Sequence, residues 1–421
     1  MKSAEPSFRF RSVALPVFLP ALLFSTGEGA ILPVIPLAAH NLGATLAIAG
    51  LVASMVMVGT LLGDIPSGVV VSRLGERRSM IIAAAVALVG LVVCMLAPNP
   101  WVLLVGVLFI GIATAVFGLA RHAFMTTHVP LRYRARALSS LGGVFRGGWF
   151  IGPLIASAVI SATGTPQSAF WIFAAACATA IVALLLLPDP ERIAESSGGA
   201  ESSSARPAAP HHGLFKAIWS HRSVLVRMGT GAGLVGAARA ARTTLLPLWA
   251  LSIGLDEAST ALIIGIAGGV EFALFYTSGH IMDRWGRLWS VLPCMLGLGS
   301  GFLALAFVHD VSARVGWFVG IVVVLSVANG LGSGIVMTLG ADLAPSPHPA
   351  PFLSAWRFAS DGGQASAPLL VSLLTAVASL PIASAAIGVL ALFGAGLLAR
   401  FTPRYVPHAR RGSRRSELSA Q

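Results

Sequence analysis

Charge is scarce in this chain. Asp, Glu, Lys and Arg make up 10% of its 421 residues against 56% hydrophobic residues, and the mean hydropathy is +0.84. That balance excludes an ordinary soluble domain, in which roughly a quarter of residues are charged. Cysteine is nearly absent: Cys94, Cys177 and Cys294 fall in separate apolar runs, which excludes a metal-binding cluster and leaves them a structural reading. No G-x-x-x-x-G-K-[ST] stretch occurs, so machinery for direct ATP hydrolysis is missing. Clustered histidines and metal-spaced carboxylates are also missing. The adjacent His211 and His212 sit in a Ser-rich polar stretch, where a solvated pair is the simpler reading. The sequence therefore predicts no enzyme, no cofactor and no metal.

What the chain has instead is apolar length. A hydrocarbon core of about 30 Å takes roughly 20 apolar residues per helix. Twelve such runs lie near 13–38, 45–71, 79–97, 101–127, 137–162, 168–187, 224–251, 259–281, 288–308, 315–343, 352–377 and 380–400. The expectation is an all-α, multi-pass membrane protein. The opening basic residues and apolar run imitate a secretory signal, but the pattern continues through ILPVIPLAA with Glu28 inside it, which favours an uncleaved first span. A net charge of +12 in a soluble protein would suggest nucleic acid; here its distribution reads as topology. Of 28 Lys and Arg, Arg314 alone falls on one side of the twelve runs. Arg121, Arg146, Arg227, Arg239, Arg242 and Arg357 lie within runs, and the other 21 share the opposite side. The positive-inside rule then places both termini in the cytoplasm of a plasma-membrane protein. The tail RYVPHARRGSRR reads as a solvated anchor near anionic lipid.

Residues 188–223, rich in Ser, Ala, Gly and Pro without apolar periodicity, read as a flexible cytoplasmic linker. It joins an N-terminal six-helix bundle (1–187) to a C-terminal one (224–403), with a basic tail at 404–421. A shift of 211 pairs Pro36 with Pro247, Gly43 with Gly254, Gly68 with Gly279 and Gly75 with Gly286; a shift of 215 pairs Pro130 with Pro345, Ser139 with Ser354 and Pro153 with Pro368. Two parallel six-helix repeats give this pattern.

With these features the chain resembles the major facilitator superfamily. That family's loop between helices 2 and 3 follows G-x-L-x-D-R-x-G-R-R, and Gly279, Ile281, Asp283, Arg284, Gly286 and Arg287 match it between spans 8 and 9. The first copy keeps Gly68, Arg73, Gly75, Arg77 and Arg78 but has Ser72 in place of the aspartate. The resemblance implies twelve helices in two pseudo-symmetric bundles, a monomeric carrier, and loops that tie to helix ends of the other half when the inner side is closed. Ser72 supplies no charge, so the first latch is expected to be the weaker, with Asp64 its candidate substitute; the alternative is a plain positive-inside anchor. In span 5, Gly148, Gly152 and Pro153 match the G-x-x-x-G-P-x-x-G-G segment of proton-coupled drug antiporters, with Ala156 and Ser157 replacing the last glycines. Close helix packing alone favours the same residues. Val107 and Leu108 stand where those antiporters carry a buried arginine.

A charge at mid-bilayer costs about 2.5–3.5 kcal/mol on insertion scales. Glu28, Asp64, Arg121, Arg146, Arg239, Arg242, Glu271, Arg357 and Asp361 are therefore expected to face a cavity or to pair. Glu28 lies about ten residues from the outer end of span 1, near the midplane. The 211 shift matches it with Arg239, and the resemblance sets the two across the transport path. Glu28 is the candidate proton-coupling acid; Arg242, one turn beyond Arg239, holds an anionic group or pairs with an acid. Arg146, Glu271 and Asp361 form a second set. Family architecture suggests the cross-half pairs Arg146 with Glu271 and Asp64 with Arg357, breaking and re-forming as the halves rock, with direct contact to proton or substrate as the other reading. Trp149, Trp249 and Trp356 line a pocket or, as the commoner role of Trp at helix ends, anchor at the interface.

The expected function is proton-coupled efflux of a small amphipathic compound by alternating access, with substrate between spans 1, 4, 7 and 10. An alternative is proton-coupled import of a small organic anion, drawn by Arg239 and Arg242. A membrane sensor without transport is the remote alternative. The expected partners are a small-molecule substrate, protons and the lipid bilayer, and no nucleic acid.

Overall fold

The computed structural model describes residues 10–127, 131–187, 219, 222–345 and 350–406. Nearly all of the 188–223 linker, with His211 and His212, lies outside the described residues, as does the tail beyond Val406. The described chain is helical throughout. In order come α1 (Phe10–Ile31), α2 (Ile35–Asn41), α3 (Leu46–Leu74), α4 (Glu76–Met95), α5 (Pro100–Thr127), α6 (Leu131–Thr163) and α7 (Ser168–Leu186). The second half holds α8 (Thr230–Ser252), α9 (Glu257–Trp285), α10 (Leu288–Ala306), α11 (Arg314–Leu331), α12 (Ile335–Leu343), α13 (Ala350–Val377) and α14 (Leu380–Tyr405). A single turn at Arg222–Val224 and a π-helical turn at Leu225–Gly229 lead into α8.

Twelve spans result because two of them are broken. Pro33 and Pro36 interrupt the first, giving α1 and α2, since proline removes the backbone donor a helix needs. Gly332, Ser333 and Gly334 interrupt the tenth, with Gly334 at φ +77°. Sequence reading treats both as continuous, and apolar periodicity alone hides such breaks.

The duplication is visible in backbone detail. Gly43 and Gly254 both take left-handed φ, at +88° and +80°, and Gly75 and Gly286 end α3 and α9 at +77° and +98°. Thr45 Oγ1 accepts from the Ile48 amide to cap α3, and Asp256 Oδ2 accepts from the Ser259 amide to cap α9, satisfying orphan donors at equivalent helix starts. Hydrogen bonds from Ser259, side chain and then backbone, hold the Asp256 carboxyl below its ordinary range. Its stabilisation is thus complete at neutral pH and is lost as pH falls through that lowered pKa.

Packing repeats in the same way. In the first half α1 lies on α6 and α7, α3 on α5, and α4 on α5 and α7; in the second half α8 lies on α13 and α14, α9 on α11, and α10 on α11 and α14. The halves meet where α6 crosses α9 and α3 crosses α13. Ten spans are long and apolar enough to be recognised by length and hydropathy. The other two, α8 and α13, carry Arg239, Arg242, Arg357 and Asp361, and they pack on one another.

Small residues permit the tight crossings. Gly148 and Gly152 of α6 press on Ser25, Thr26 and Ala30 of α1, and Gly363 of α13, shifted 215 from Gly148, presses on the Gly233 backbone of α8. On the side of the two basic loops, Gly68 and Gly279 have open space beside them. On the opposite side the halves touch: Asn41 Nδ2 donates to Glu257 Oε1 at 3.2 Å, Gly50 faces Leu248 and Ser372, and Gly265 faces Leu154.

Gly152→Val places side-chain atoms against backbone that cannot retreat. The expected loss is about 1–3 kcal/mol or more, read as an earlier thermal unfolding transition in detergent, with Gly68→Val, in open space, as the neutral control.

Candidate substrate and proton site between the halves

Glu28 sits in α1 at 3% exposure. Gly27 and Gly29 flank it, so α1 lies close enough to α7 and α6 that a Cβ at either glycine would strike Phe173 or the Trp149 backbone. Thr114 Oγ1 of α5 donates to Glu28 Oε1 at 3.0 Å, and Trp149 Nε1 of α6 donates to Oε2 at 3.0 Å. Arg121, 7% exposed, lies on the Phe145 ring within electrostatic reach of Glu28. Its Nε and Nη1 have no hydrogen-bond partner among the described residues. Glu28 and Arg239, expected across the path from one another, each have hydrogen-bond partners in their own half. Arg239 Nη2 donates to the Gly332 carbonyl in its own half, because the broken tenth span leaves carbonyls that need donors. Ser278 Oγ meets the same break, donating to Leu331 and Ser333 carbonyls at 2.7 and 2.9 Å, and Ser290 Oγ donates to Leu331 at 2.7 Å.

The second half builds its own polar cluster. Arg242 forms a salt bridge with Glu271, Asn329 Nδ2 donates to Glu271 Oε2 at 2.6 Å, and Arg242 Nη1 reaches Ser326 Oγ at 3.3 Å. This corrects the expected Arg146–Glu271 pair. Arg146 instead lies over the Phe275 ring at 4.8 Å, a cation–π contact that satisfies a desolvated guanidinium without a carboxylate. Asp64 and Arg357, expected to pair, lie within electrostatic reach of one another, while the direct contact of Arg357 is on its own helix: its Nε meets Asp361 Oδ2 at 3.3 Å one turn along α13, and Gln364 Nε2 donates to Asp361 Oδ1 at 3.0 Å. An i,i+4 neighbour on one helix is within reach in every conformation.

Between the clusters lies a cavity of about 100 Å³. Trp149 and Pro153 form its first-half wall, Arg242, Glu271 and Pro247 its second-half wall, and Leu32 closes one edge. Trp149, one of its lining residues, is 46% exposed while its indole N–H holds Glu28.

Residues 17–368 match the sequence profile of the Major Facilitator Superfamily. The chain belongs to that superfamily. That membership makes it a multi-pass membrane protein of a transporter superfamily, not of an enzyme family, and the chain spans about a quarter of the length of the curated relatives it first matches. Inositol transporter 4 of Arabidopsis thaliana is 31% identical over 155 residues, a stretch that covers 34% of this chain and 26% of that transporter. The inward-open xylose transporter of E. coli superposes with a TM-score of 0.70 at 16% identity, over 98% of this chain and 99% of that one. A D-xylose–proton symporter superposes with a TM-score of 0.68 at 16% identity, over 94% and 98% of the two chains.

In this superfamily member the two basic loops bind within their own halves. Arg77 donates to the carbonyls of Leu184, Leu185 and Leu187 at 2.6, 3.0 and 3.2 Å, fastening the α3–α4 loop to the end of α7. Arg287 Nε meets Asp342 Oδ2 at 2.8 Å, and Nη1 meets Asp283 Oδ1 at 3.3 Å. Asp342, first by hydrogen bonding, holds the Arg287 guanidinium above its ordinary pKa. Ser72 Oγ donates back to the Val69 carbonyl, and Arg73 and Arg284 are exposed. Of the three tryptophans, Trp249 and Trp356 are buried at 0% and 3%. Neither anchors at an interface: Trp249 packs edge-on to His309, and Trp356 Nε1 donates to the Val336 carbonyl at 2.9 Å. Sequence reading misses Thr114, Asn329 and the partnership of Arg121 with Glu28, because single polar residues in apolar runs carry no spacing signal.

Removing one member of the Arg242–Glu271 pair strands a buried charge. Arg242→Ala is expected to destabilise the protein by about 3–5 kcal/mol, whereas Arg242→Met with Glu271→Leu recovers most of the loss. Thermal unfolding of the single and double variants checks this ordering.

Proposed function

We propose that this carrier couples solute movement to protons, with Glu28 carrying the proton and the cavity between Trp149 and the Arg242–Glu271 pair holding the solute. The observation that carries the reading is the double role of Trp149: its indole donates to Glu28 and its exposed face forms a cavity wall. A solute that shifts the indole withdraws a donor from one carboxylate oxygen, and loss of a hydrogen bond to the charged form favours the protonated one. Thr114 suits both forms, because a hydroxyl donates to the carboxylate and accepts from the acid. The unpartnered Arg121 nitrogens supply compensating positive charge when Glu28 is ionised.

Arg242 is neutralised by Glu271, and Arg239 is turned to the Gly332 carbonyl. That pairing favours an uncharged amphipathic solute over an organic anion, since walls such as Leu32, Leu246 and Ile264 are apolar. Export is the direction we favour. A second reading, proton-linked uptake of a polyol, draws support from the similarity to an inositol transporter over a third of the chain. In this view the basic loops latch to the other half in the conformation closed on their side, with Asp283 the charged partner.

Proteoliposomes with an imposed pH gradient test the assignment. Wild type moves solute against its gradient; Glu28→Gln loses that drive yet retains solute exchange at equal pH. Gradient-driven movement undiminished in Glu28→Gln removes Glu28 as the coupling acid. Labelled inositol entering with an inward proton gradient selects the uptake reading, and proton-driven export of a lipophilic dye selects export.

A further inference from the structure

A second, larger hollow lies away from the seam. It has a volume of about 480 Å³ between α8, α13 and α14, and no residue of the first half lines it. Its floor is made of small residues, Gly229, Gly233, Ala238, Gly363 and Ala367, and its sides of Leu234, Leu370 and Ile387. The π-helical turn at Leu225–Gly229 offsets the start of α8, a distortion often found at binding sites. Val226, Thr230 and Ser366 on the rim are exposed. The three flanking helices are membrane spans and no residue of the first half lines the groove, and on that ground we take the medium at its rim to be hydrocarbon.

One end is polar. Arg222 lines the mouth and lies over the ring of Trp219 at 4.8 Å, with Trp219 itself 72% exposed. Arg227 Nη1 donates to Tyr405 Oη at 3.0 Å, and both Arg227 and Arg404 face the Phe401 ring. Among the described residues no carboxylate forms an ion pair with Arg222, Arg227 or Arg404. Trp, Tyr and Arg together mark headgroup depth. From Arg222 to Ala238 the chain rises roughly 24 Å, enough to pass from the headgroups beyond the middle of a hydrocarbon core of about 30 Å.

We propose that this groove is a binding site for a phospholipid of net negative charge, with an acyl chain along α8 between α13 and α14 and the phosphate at Arg222. The apolar walls fit a hydrocarbon chain, and the small residues make room for it. Arg222, which has no carboxylate partner among the described residues, gives the mouth a positive charge that a zwitterionic headgroup cannot fully meet. The assignment stands on the second half alone and is independent of the proton and solute roles proposed for the seam.

The test uses the full chain in nanodiscs made of equal parts phosphatidylglycerol and phosphatidylcholine, released into mild detergent and weighed by native mass spectrometry. Wild type is expected to retain phosphatidylglycerol over phosphatidylcholine by about fivefold, the value of one basic residue at the surface. Arg222→Ala should abolish the preference and Arg222→Lys restore it. Ser366→Trp, filling the groove from its exposed rim, should lose both lipids while elution volume and helicity stay unchanged; Thr230→Trp from the opposite rim should act alike. Equal retention of the two lipids by wild type overturns the anionic site. Undiminished lipid on well-folded Ser366→Trp and Thr230→Trp overturns the groove as its location.

Discussion

A charge in hydrocarbon must be partnered, and every other feature of this transporter is arranged around where those partners are found. The buried ion pair and the buried carboxylates Glu28 and Glu271 are satisfied within one half. Glu28 of α1 is held by α5 and α6, and Glu271 of α9 by Arg242 of α8 and Asn329 of α11. The loop arginines follow the same rule, with Arg77 bound to the end of α7 and Arg287 to Asp342 of α12. Had Glu271 paired with Arg146, each cycle of opening would strand two charges in a low-dielectric seam. Pairing within halves removes that barrier.

The seam is correspondingly built from contacts that part at little expense. Phe150 and Phe272 stack with centroids 6.4 Å apart, Arg146 covers the Phe275 ring, and Gly265 accepts the Leu154 side chain. The hydrogen bond from Asn41 to Glu257 crosses the halves at an exposed position, where water replaces either partner. Within each half, by contrast, Gly148, Gly152 and Gly363 bring backbones together, and such crossings resist separation because their dispersion contacts vanish over a small gap. Strong packing inside and replaceable packing between are what a rocking of the two halves about one joint requires.

Much of this was legible in the sequence. Twelve apolar runs, the basic loops and the 211 and 215 shifts reflect constraints that act on every residue of a span or loop, so composition reveals them. The equivalent left-handed glycines Gly43 and Gly254, and the caps Thr45 and Asp256, are the structural counterpart of that repeat. Glu28, Arg239, Arg242 and Glu271 were recognisable as costly charges, yet their partners were not. Pairing depends on helix rotation: the same Glu271 that borders the cavity turns to α8 and α11, and a shift of register by one residue would have turned it to α6. The break in the tenth span was written as GLGSG, residues 330–334, but glycine serves close packing and breaks alike, and only the surrounding donors Ser278, Ser290 and Arg239 distinguish the two.

The central claim is that the halves move as units about a seam that no salt bridge crosses among the described residues. Pulsed electron–electron resonance between spin labels at Val69 and His280, on opposite halves of the basic side, measures it most directly, with Val89 and Val182 as a pair within one half. The account predicts two separations for the first pair, their populations shifting with pH and solute, and one unchanging separation for the second. A single fixed distance across the halves, or a second pair that changes in step with the first, contradicts it.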